Sequence, residues 1–471
     1  MRIPTACAQC RRAKRRCIRL KASDTCGSCQ QRQWPCEGKL QTQPVAQRPL
    51  VPRSIATASP PRGSSQNCGR QTRPRPTLSL GTAIELVDLY LEKFHGRPHS
   101  LFHPGTLRSQ VRTGTLQDAL LYAICAIGCK FSANPDTRSR GPDLRMDAKH
   151  LLQADISNIC LDNIQACMLI TTLSVGHGDS PSAALFFRIA TAMAEVMGLN
   201  TPVTEGSVMD REVRRRVWWS LYLSDMWCMI GQGLHSQLSD VRVRIELPVN
   251  DRTFMSLHSE QTTIIFPLEH GIWAQMMTLV PLFEPIHNIN LHVAKGESHS
   301  TGLDQRVDQL VQKLEDWKNS LPLDAQMNQE NLHRQQKRGL GGLLISIHLA
   351  YHHYSTLLYF RYLEVRRPAS STDRTYIARC KTHASSFSSL LSVSRQLKGC
   401  DVVHPTVGHM ATVSSSVLVH TLLFGELDEL ETVRQELNAN FEALTELAQY
   451  WPATSAMVCA VHRRFRMKSS V

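Results

Sequence analysis

Six cysteines within the first 36 residues form two copies of one pattern, C-x2-C-x6-C: Cys7, Cys10 and Cys17, then Cys26, Cys29 and Cys36. This repeat constrains the chain more than any hydrophobic pattern in it. Two separate tetrahedral zinc sites need eight bonds, and six thiolates supply them only when two sulfurs each bridge both metals. The repeat therefore points to a single two-zinc cluster rather than to an odd zinc ribbon or redox thiols. Between Cys10 and Cys17 runs Arg11-Arg12-Ala13-Lys14-Arg15-Arg16. The metal would fold this cationic segment, which is suited to meet phosphate.

Charge is distributed in the same sense. The whole chain has 53 basic and 40 acidic residues, a net +13. Residues 1–80 hold 16 Lys or Arg against Asp24 and Glu37, so the other 391 residues hold 37 basic against 38 acidic. A polyanion-binding head on a neutral body is the footprint of a nucleic-acid binder whose bulk does something else. The head lacks the amphipathic apolar face that membrane-surface binding would require. RNA binding by a cationic zinc module usually employs aromatics that stack bases, and Trp34 is the only aromatic residue in residues 1–80. Double-stranded DNA is the expected partner.

Nine of the 15 cysteines lie outside the repeat, several in apolar stretches such as Cys125 with Cys129 and Cys160 with Cys167. They read as reduced core residues. With no signal-peptide pattern and no uninterrupted apolar run of about 18 residues, the expectation is an intracellular soluble protein with no membrane partner. Basic clusters at Arg11–Arg16 and at Arg70, Arg73 and Arg75 suit import signals and a nuclear address.

Residues 37–80 contain seven prolines (Pro44, Pro49, Pro52, Pro60, Pro61, Pro74 and Pro76) with many Ser, Thr and Gln. This composition predicts an extended linker and leaves no room for a heptad coiled coil. From about residue 81 the pattern becomes helical. Ile84, Val87, Tyr90, Leu91 and Phe94 recur at helical spacing; Leu116–Phe131 is nearly all apolar, and Leu185–Leu199 is rich in Ala, Met and Phe. Val241–Leu247 reads as an extended loop. About 390 residues suffice for one large helical domain or two fused ones.

On these residues the chain resembles two known sequence families. Residues 7–36 are similar to the Zn2Cys6 binuclear cluster of fungal transcription factors, C-x2-C-x6-C-x5–12-C-x2-C-x6–8-C, with eight residues in the central gap. The body resembles the fungal-specific transcription factor domain, or middle homology region, at Leu86–Leu107, Ala123–Ser132, Asn163–Leu199 and Glu212–Pro248. Its most telling piece is Glu212-Val213-Arg214-Arg215-Arg216-Val217-Trp218-Trp219, followed by Asp225. Leu303–Pro322 and Leu343–Tyr362 also resemble the family. The chain departs from it in having no proline in Ile18–Thr25 and in reading Gly231-Gln232-Gly233-Leu234-His235 where relatives have a Gly-Arg-Pro turn.

The resemblance implies a mostly α protein with three parts: a Zn2Cys6 DNA-binding domain at 1–40, a Pro/Arg-rich disordered linker at 41–80, and an all-helical regulatory domain at 81–471. One zinc ion would take Cys7, Cys10, Cys17 and Cys26, and the other Cys7, Cys26, Cys29 and Cys36. Lys14 would read guanine in a CGG triplet, while Arg11, Arg12, Arg15, Arg16 and Arg19 hold phosphates. The family also implies regulation of RNA polymerase II genes, with a metabolic or secondary-metabolite gene cluster as target. A homodimer or heteropartner through the helical domain and a small-molecule effector fit the same picture.

Other patterns carry simpler readings. Arg214–Arg216 splay around a helix and suit a solvated or Asp225-paired structural role. His352 and His353 have no metal ligands at suitable spacing. Gly176–Ser180 lacks the setting of a hydrolase triad, and no phosphate loop, dinucleotide fingerprint or H-E-x-x-H occurs. No enzyme is expected; the rival is a metabolite-binding or enzymatic helical protein whose zinc cluster is only structural. The acidic stretch Glu426–Glu446 favours packing of its Leu face over docking of transcriptional machinery.

Overall fold

The computed structural model describes Cys10, Cys17, Cys36 and residues 26–33, 78–229, 233–238, 245–258, 260–261, 269–296, 302–364 and 370–466. The chain divides into two compact units, Met1–Arg75 and Pro76–Val471. The first contains the short helix α1 (Gly27–Gln30). The expected linker lies almost wholly outside the described residues.

The second unit is built of helices. In chain order these are α2 (Leu80–Lys93), α3 (Pro104–Thr113), α4 (Asp118–Gly128), α5 (Pro135–Ser139), α6 (Gly141–Ala154), α7 (Leu161–His177), α8 (Ser180–Val196) and α9 (Val208–Ser224). There follow α10 (Asp251–Ser256), α11 (Ile272–Leu279), α12 (Phe283–Ala294), α13 (Leu303–Ser320), α14 (Gln329–Lys337) and α15 (Gly341–Tyr359). The chain closes with α16 (Ser371–Gln396), α17 (Thr406–Phe424), α18 (Leu430–Tyr450) and α19 (Pro452–Arg466). Among the described residues the only β pairing is an isolated bridge between Val249 and His270, just before α11; residues 241–244 of the expected extended loop lie outside the described residues.

Sequence chemistry sets these elements. Ser79 caps α2 by accepting from the Thr82 amide at 3.2 Å, and the helix buries Leu86, Val87 and Tyr90. Each such side chain contributes about 1.5–3 kcal/mol. Gly114 and Gly178 close α3 and α7 in the left-handed conformation. α7 and α15 are apolar on nearly every face and accordingly run through the interior. α7 packs against α4, α6 and α8, while α15 packs against α11, α12, α14 and α16. The long apolar stretch expected at Leu116–Phe131 resolves into α4 and a 3-10 turn, Cys129–Phe131.

Close approach explains two glycines inside helices. A Cβ at Gly128 would sit 2.2 Å from the Leu86 carbonyl oxygen, so α4 meets α2 backbone to backbone. A Cβ at Gly176 would lie 2.1 Å from the ring of Trp451. Trp451, fully buried, donates to the Val403 carbonyl at 2.6 Å and brings the last two helices onto the first half of the unit.

α17 is long and apolar enough to cross a membrane by composition, with a mean hydropathy of 1.3. Here it packs against α16, α18 and α19. Ser414 and Ser415 accept from the Asn440 amide at 3.1 and 3.2 Å. On α18, Val433, Leu437 and Leu444 are buried, and Glu442 and Glu446 pair with Arg395. Most of the acidic stretch Glu426–Glu446 is thus a packed helix, while Leu427, in the segment before α18, is 89% exposed.

Candidate metal centre

The cysteines are positioned by short-range backbone geometry. Cys26 stands at the head of α1, its carbonyl accepting from the amides of Cys29 and Gln30 at 3.0 Å each. The turn places Cys29 beside Cys26. Gln33, with φ +52°, ends it by turning left-handed, and the chain returns so that the Cys26 amide donates to Cys36 Sγ at 3.4 Å. Cys10, Cys26 and Cys29 are buried, whereas Cys17 and Cys36 are half-buried.

These sulfurs form two overlapping groups. Those of Cys10, Cys17 and Cys26 lie within 4.8 Å of one another, as do those of Cys26, Cys29 and Cys36. Cys26 belongs to both. Cys10 Sγ is 3.6 Å from Cys26 Sγ and 3.9 Å from Cys29 Sγ. These separations exceed an S–S bond of about 2.05 Å. The Cys10–Cys26 separation is close to the ~3.8 Å edge of a tetrahedron with 2.3 Å zinc–thiolate bonds. A backbone hydrogen bond from Cys29 is the main cause that lowers the Cys26 thiol to about 6; contacts from the Cys29, Cys17 and Cys10 side chains add to it, and burial opposes it. An all-sulfur donor set with a thiol poised to ionise fits zinc. Cys7, Lys14 and Arg11, Arg12, Arg15, Arg16 and Arg19 lie outside the described residues.

The arginine run of α9 has a structural role, with partners other than the expected one. Arg216 is 1% exposed and donates to Glu212 Oε1 at 2.9 Å, Asp251 Oδ1 at 3.0 Å, Ser100 Oγ at 2.9 Å and the Val249 carbonyl at 2.8 Å. Its guanidinium stacks 4.0 Å from the centre of the Phe254 ring. Glu212 Oε1 also accepts from the Val249 amide at 3.0 Å. Arg215 pairs with Glu212 and Glu246. Asp225 instead anchors the segment after α9, its Oδ2 accepting from Ser236 Oγ at 2.5 Å and from the Gln237 and Leu238 amides at 2.8 Å. Among the described residues its ion-pair partner is Arg188, at 3.9 Å.

The expected ordinary histidines are packed against other histidines. His352 Nδ1 meets His383 Nδ1 at 2.9 Å, and the His353 ring lies 5.6 Å from that of His409. At Gly176–Ser180, α7 ends and Asp179 caps α8 by accepting from the Ser182 amide, so this Asp serves backbone structure.

Comparison with known proteins places the body. Residues 87–319 match the family model described as the fungal specific transcription factor domain. Over this stretch the chain is similar to the fungal specific transcription factor domain. The matched stretch begins within α2 and ends in α13, so it includes the Arg216 clamp. The chain is 23% identical over 81% of its length to the Zn(2)-C6 fungal-type transcription factor FTF1c of Fusarium oxysporum f. sp. lycopersici. It is 24% identical over 83% of its length to an uncharacterized transcriptional regulatory protein of Schizosaccharomyces pombe. It is 23% identical over 82% of its length to the nitrogen assimilation transcription factor nit-4 of Neurospora crassa. The chain covers 45%, 65% and 36% of these relatives' lengths, respectively.

Proposed function

We propose that the protein is a nuclear, sequence-specific DNA-binding transcription factor for RNA polymerase II genes. Its DNA-binding head spans 1–40, joined by a linker at 41–80 to a regulatory body at 81–471. The observation that carries this reading is the pair of cysteine triads sharing Cys26, the arrangement two metal ions require of too few sulfurs. Two zinc ions held by Cys7, Cys10, Cys17, Cys26, Cys29 and Cys36, with Cys7 and Cys26 bridging, would fold the intervening basic segment. The body supplies the other function, regulation through an effector, a second copy or a heteropartner, and the targets are the genes of a metabolic or secondary-metabolite cluster.

Lys14 donates to guanine O6 and N7 of a CGG triplet in the major groove, while Arg11, Arg12, Arg15, Arg16 and Arg19 hold phosphates. The cationic contacts supply affinity and its salt dependence, and Lys14 supplies sequence preference. A single triplet is a short address, so useful specificity requires a second triplet, flanking contacts or a partner. Lys14→Ala costs about 1–3 kcal/mol on CGG sites and relaxes preference, whereas Arg12→Ala weakens all sequences alike.

The test is selection from a random double-stranded DNA library by the full chain, with and without a zinc chelator. Enrichment of CGG-containing sites that disappears on chelation supports the reading, and triplet spacing distinguishes monomer from dimer. No enrichment by protein shown to contain zinc overturns autonomous DNA recognition.

A further inference from the structure

α9 has a third arginine whose chemistry differs from its neighbours'. Arg215 and Arg216 are ion-paired. Arg214 has no carboxylate partner among the described residues. Its Nη2 donates to the Met197 carbonyl at 3.0 Å, and its Nε is buried with no hydrogen-bond partner. That nitrogen is closed to solvent, so an occupant of the adjoining space would meet the remainder of the guanidinium.

Arg214 faces a cavity of about 280 Å³ bounded by α3, the start of α4, the start of α7 and the start of α9. Leu107, Leu120, Met209 and Val213 contribute apolar walls. Gln165 and Asp162 bring an amide and a carboxyl group to the same space. The Gln165 amide nitrogen is engaged with the Leu101 carbonyl at 2.6 Å. Asp210, also on the wall, has one carboxylate oxygen committed to Ser207 Oγ at 2.7 Å. The volume corresponds to about nine waters, or an organic molecule of roughly ten non-hydrogen atoms.

We infer that this cavity binds a small organic acid, its carboxylate on Arg214 and its apolar body against Leu107, Leu120, Met209 and Val213. The assignment deepens the proposed regulatory reading of the body, since it names where an effector sits and of what class. Guanidinium matches carboxylate as a planar fork. The flanking Asp162 and Asp210 disfavour a dianion such as phosphate, and the apolar walls disfavour a small inorganic anion. Burial raises the Asp162 carboxyl above its ordinary value, which eases its protonation beside a bound carboxylate. Met209 and Arg214 lie on the helix that carries Glu212 and Arg216, so an occupant bears on the element that clamps residues 249–254.

The test is calorimetric titration of the full chain with benzoate and hexanoate, and with benzamide and inorganic phosphate as controls. Saturable binding of the carboxylates is expected, with benzamide at least about tenfold weaker, because a charge-assisted hydrogen bond is lost. Arg214→Gln should weaken benzoate by a similar factor, Arg214→Lys less, and Arg211→Gln not at all; circular dichroism and thermal melting of each variant report folding. Absence of carboxylate binding to the folded wild-type protein, or equal affinity in folded Arg214→Gln, overturns the assignment. DNA selection on the same preparation separates the two readings. Carboxylate binding without DNA recognition leaves the cavity standing and removes the transcription-factor reading; DNA recognition without carboxylate binding removes the cavity alone.

Discussion

Mild acid should unfold the helical unit, because its histidines are held neutral. His352 and His383 face each other through their Nδ1 atoms at 2.9 Å, a contact that accommodates one shared hydrogen and not two. Burial is the main cause that lowers His352 to about 2 and His383 to about 4; the charges of Lys318 and Arg379, and the neighbouring His348, act in the same direction. Nε2 of His95 accepts from the amides of Leu101 and Phe102 at 3.1 Å, so protonation there would cost both bonds, and burial lowers this group to about 3. Burial likewise lowers His99 to about 4. A folded-state value below the unfolded 6.5 means that the unfolded chain binds more protons, so this stability is complete above pH 6.5 and is lost as pH falls toward the folded values. From pH 7.5 to 5.5 each such imidazole costs about 1.4 kcal/mol, and the four together roughly 5 kcal/mol, comparable with the whole stability of many domains. Asp162 and Glu436, raised by burial, work in the opposite sense as they take up protons in the folded state. Urea unfolding followed by the fluorescence of buried Trp218, Trp273 and Trp451 should show the midpoint falling steeply across this window. Replacing His352 and His383 together by Gln should reduce the uptake of protons on unfolding by about two at pH 5.5. A midpoint independent of pH between 7.5 and 5.5, or an uptake unchanged by the double replacement, would refute the reasoning.

Three further outcomes follow from packing and ligation. Arg216→Ala leaves Asp251 buried without its cation and Glu212 with Arg215 alone, and should cost about 3–5 kcal/mol in chemical denaturation, whereas Arg211→Ala, which loses exposed hydrogen bonds to the Thr204 and Gly206 carbonyls, should cost less. Gly128→Ala forces α2 and α4 apart against the Leu86 carbonyl and should destabilise by about 1–3 kcal/mol, seen as a lowered thermal midpoint. Removal of zinc by a chelator should abolish structure and thiol protection in the cysteine head while leaving the thermal transition of the helical unit unchanged, as differential scanning calorimetry with thiol labelling would show.

The elements legible in the sequence were those with a strong local pattern. The 3- and 4-residue spacing at Val87, Tyr90 and Phe94 identifies α2 because one face alone is buried. The nearly all-apolar character of Leu116–Phe131 likewise marks α4 as interior. Ion-pair partners were less legible. Asp225 follows Arg216 by nine residues, which at about 100° per residue puts the two on opposite sides of a helix. Glu212, four residues before Arg216, shares its face, and the i,i+4 rule would have found that contact. Asp251, Val249 and Ser100 come from other segments and leave no local signature. The Arg214 cavity is hidden for the same reason, since four segments between residues 102 and 214 contribute its walls. The six cysteines were legible because metal chemistry fixes their number and spacing. The sharing of Cys26 by two ligand sets is what the resemblance implies, and in the folded chain its sulfur lies within 4.8 Å of the others in both groups.

The most direct test of the account is a zinc count on the full chain and on two cysteine variants by native mass spectrometry. The account predicts two zinc ions per chain. Cys29→Ala should retain one ion better than the other, whereas Cys26→Ala should weaken both, since its sulfur is common to the two groups. One zinc ion in the wild-type chain, or a Cys26→Ala variant that keeps one ion at full affinity, would contradict a cluster bridged through Cys26.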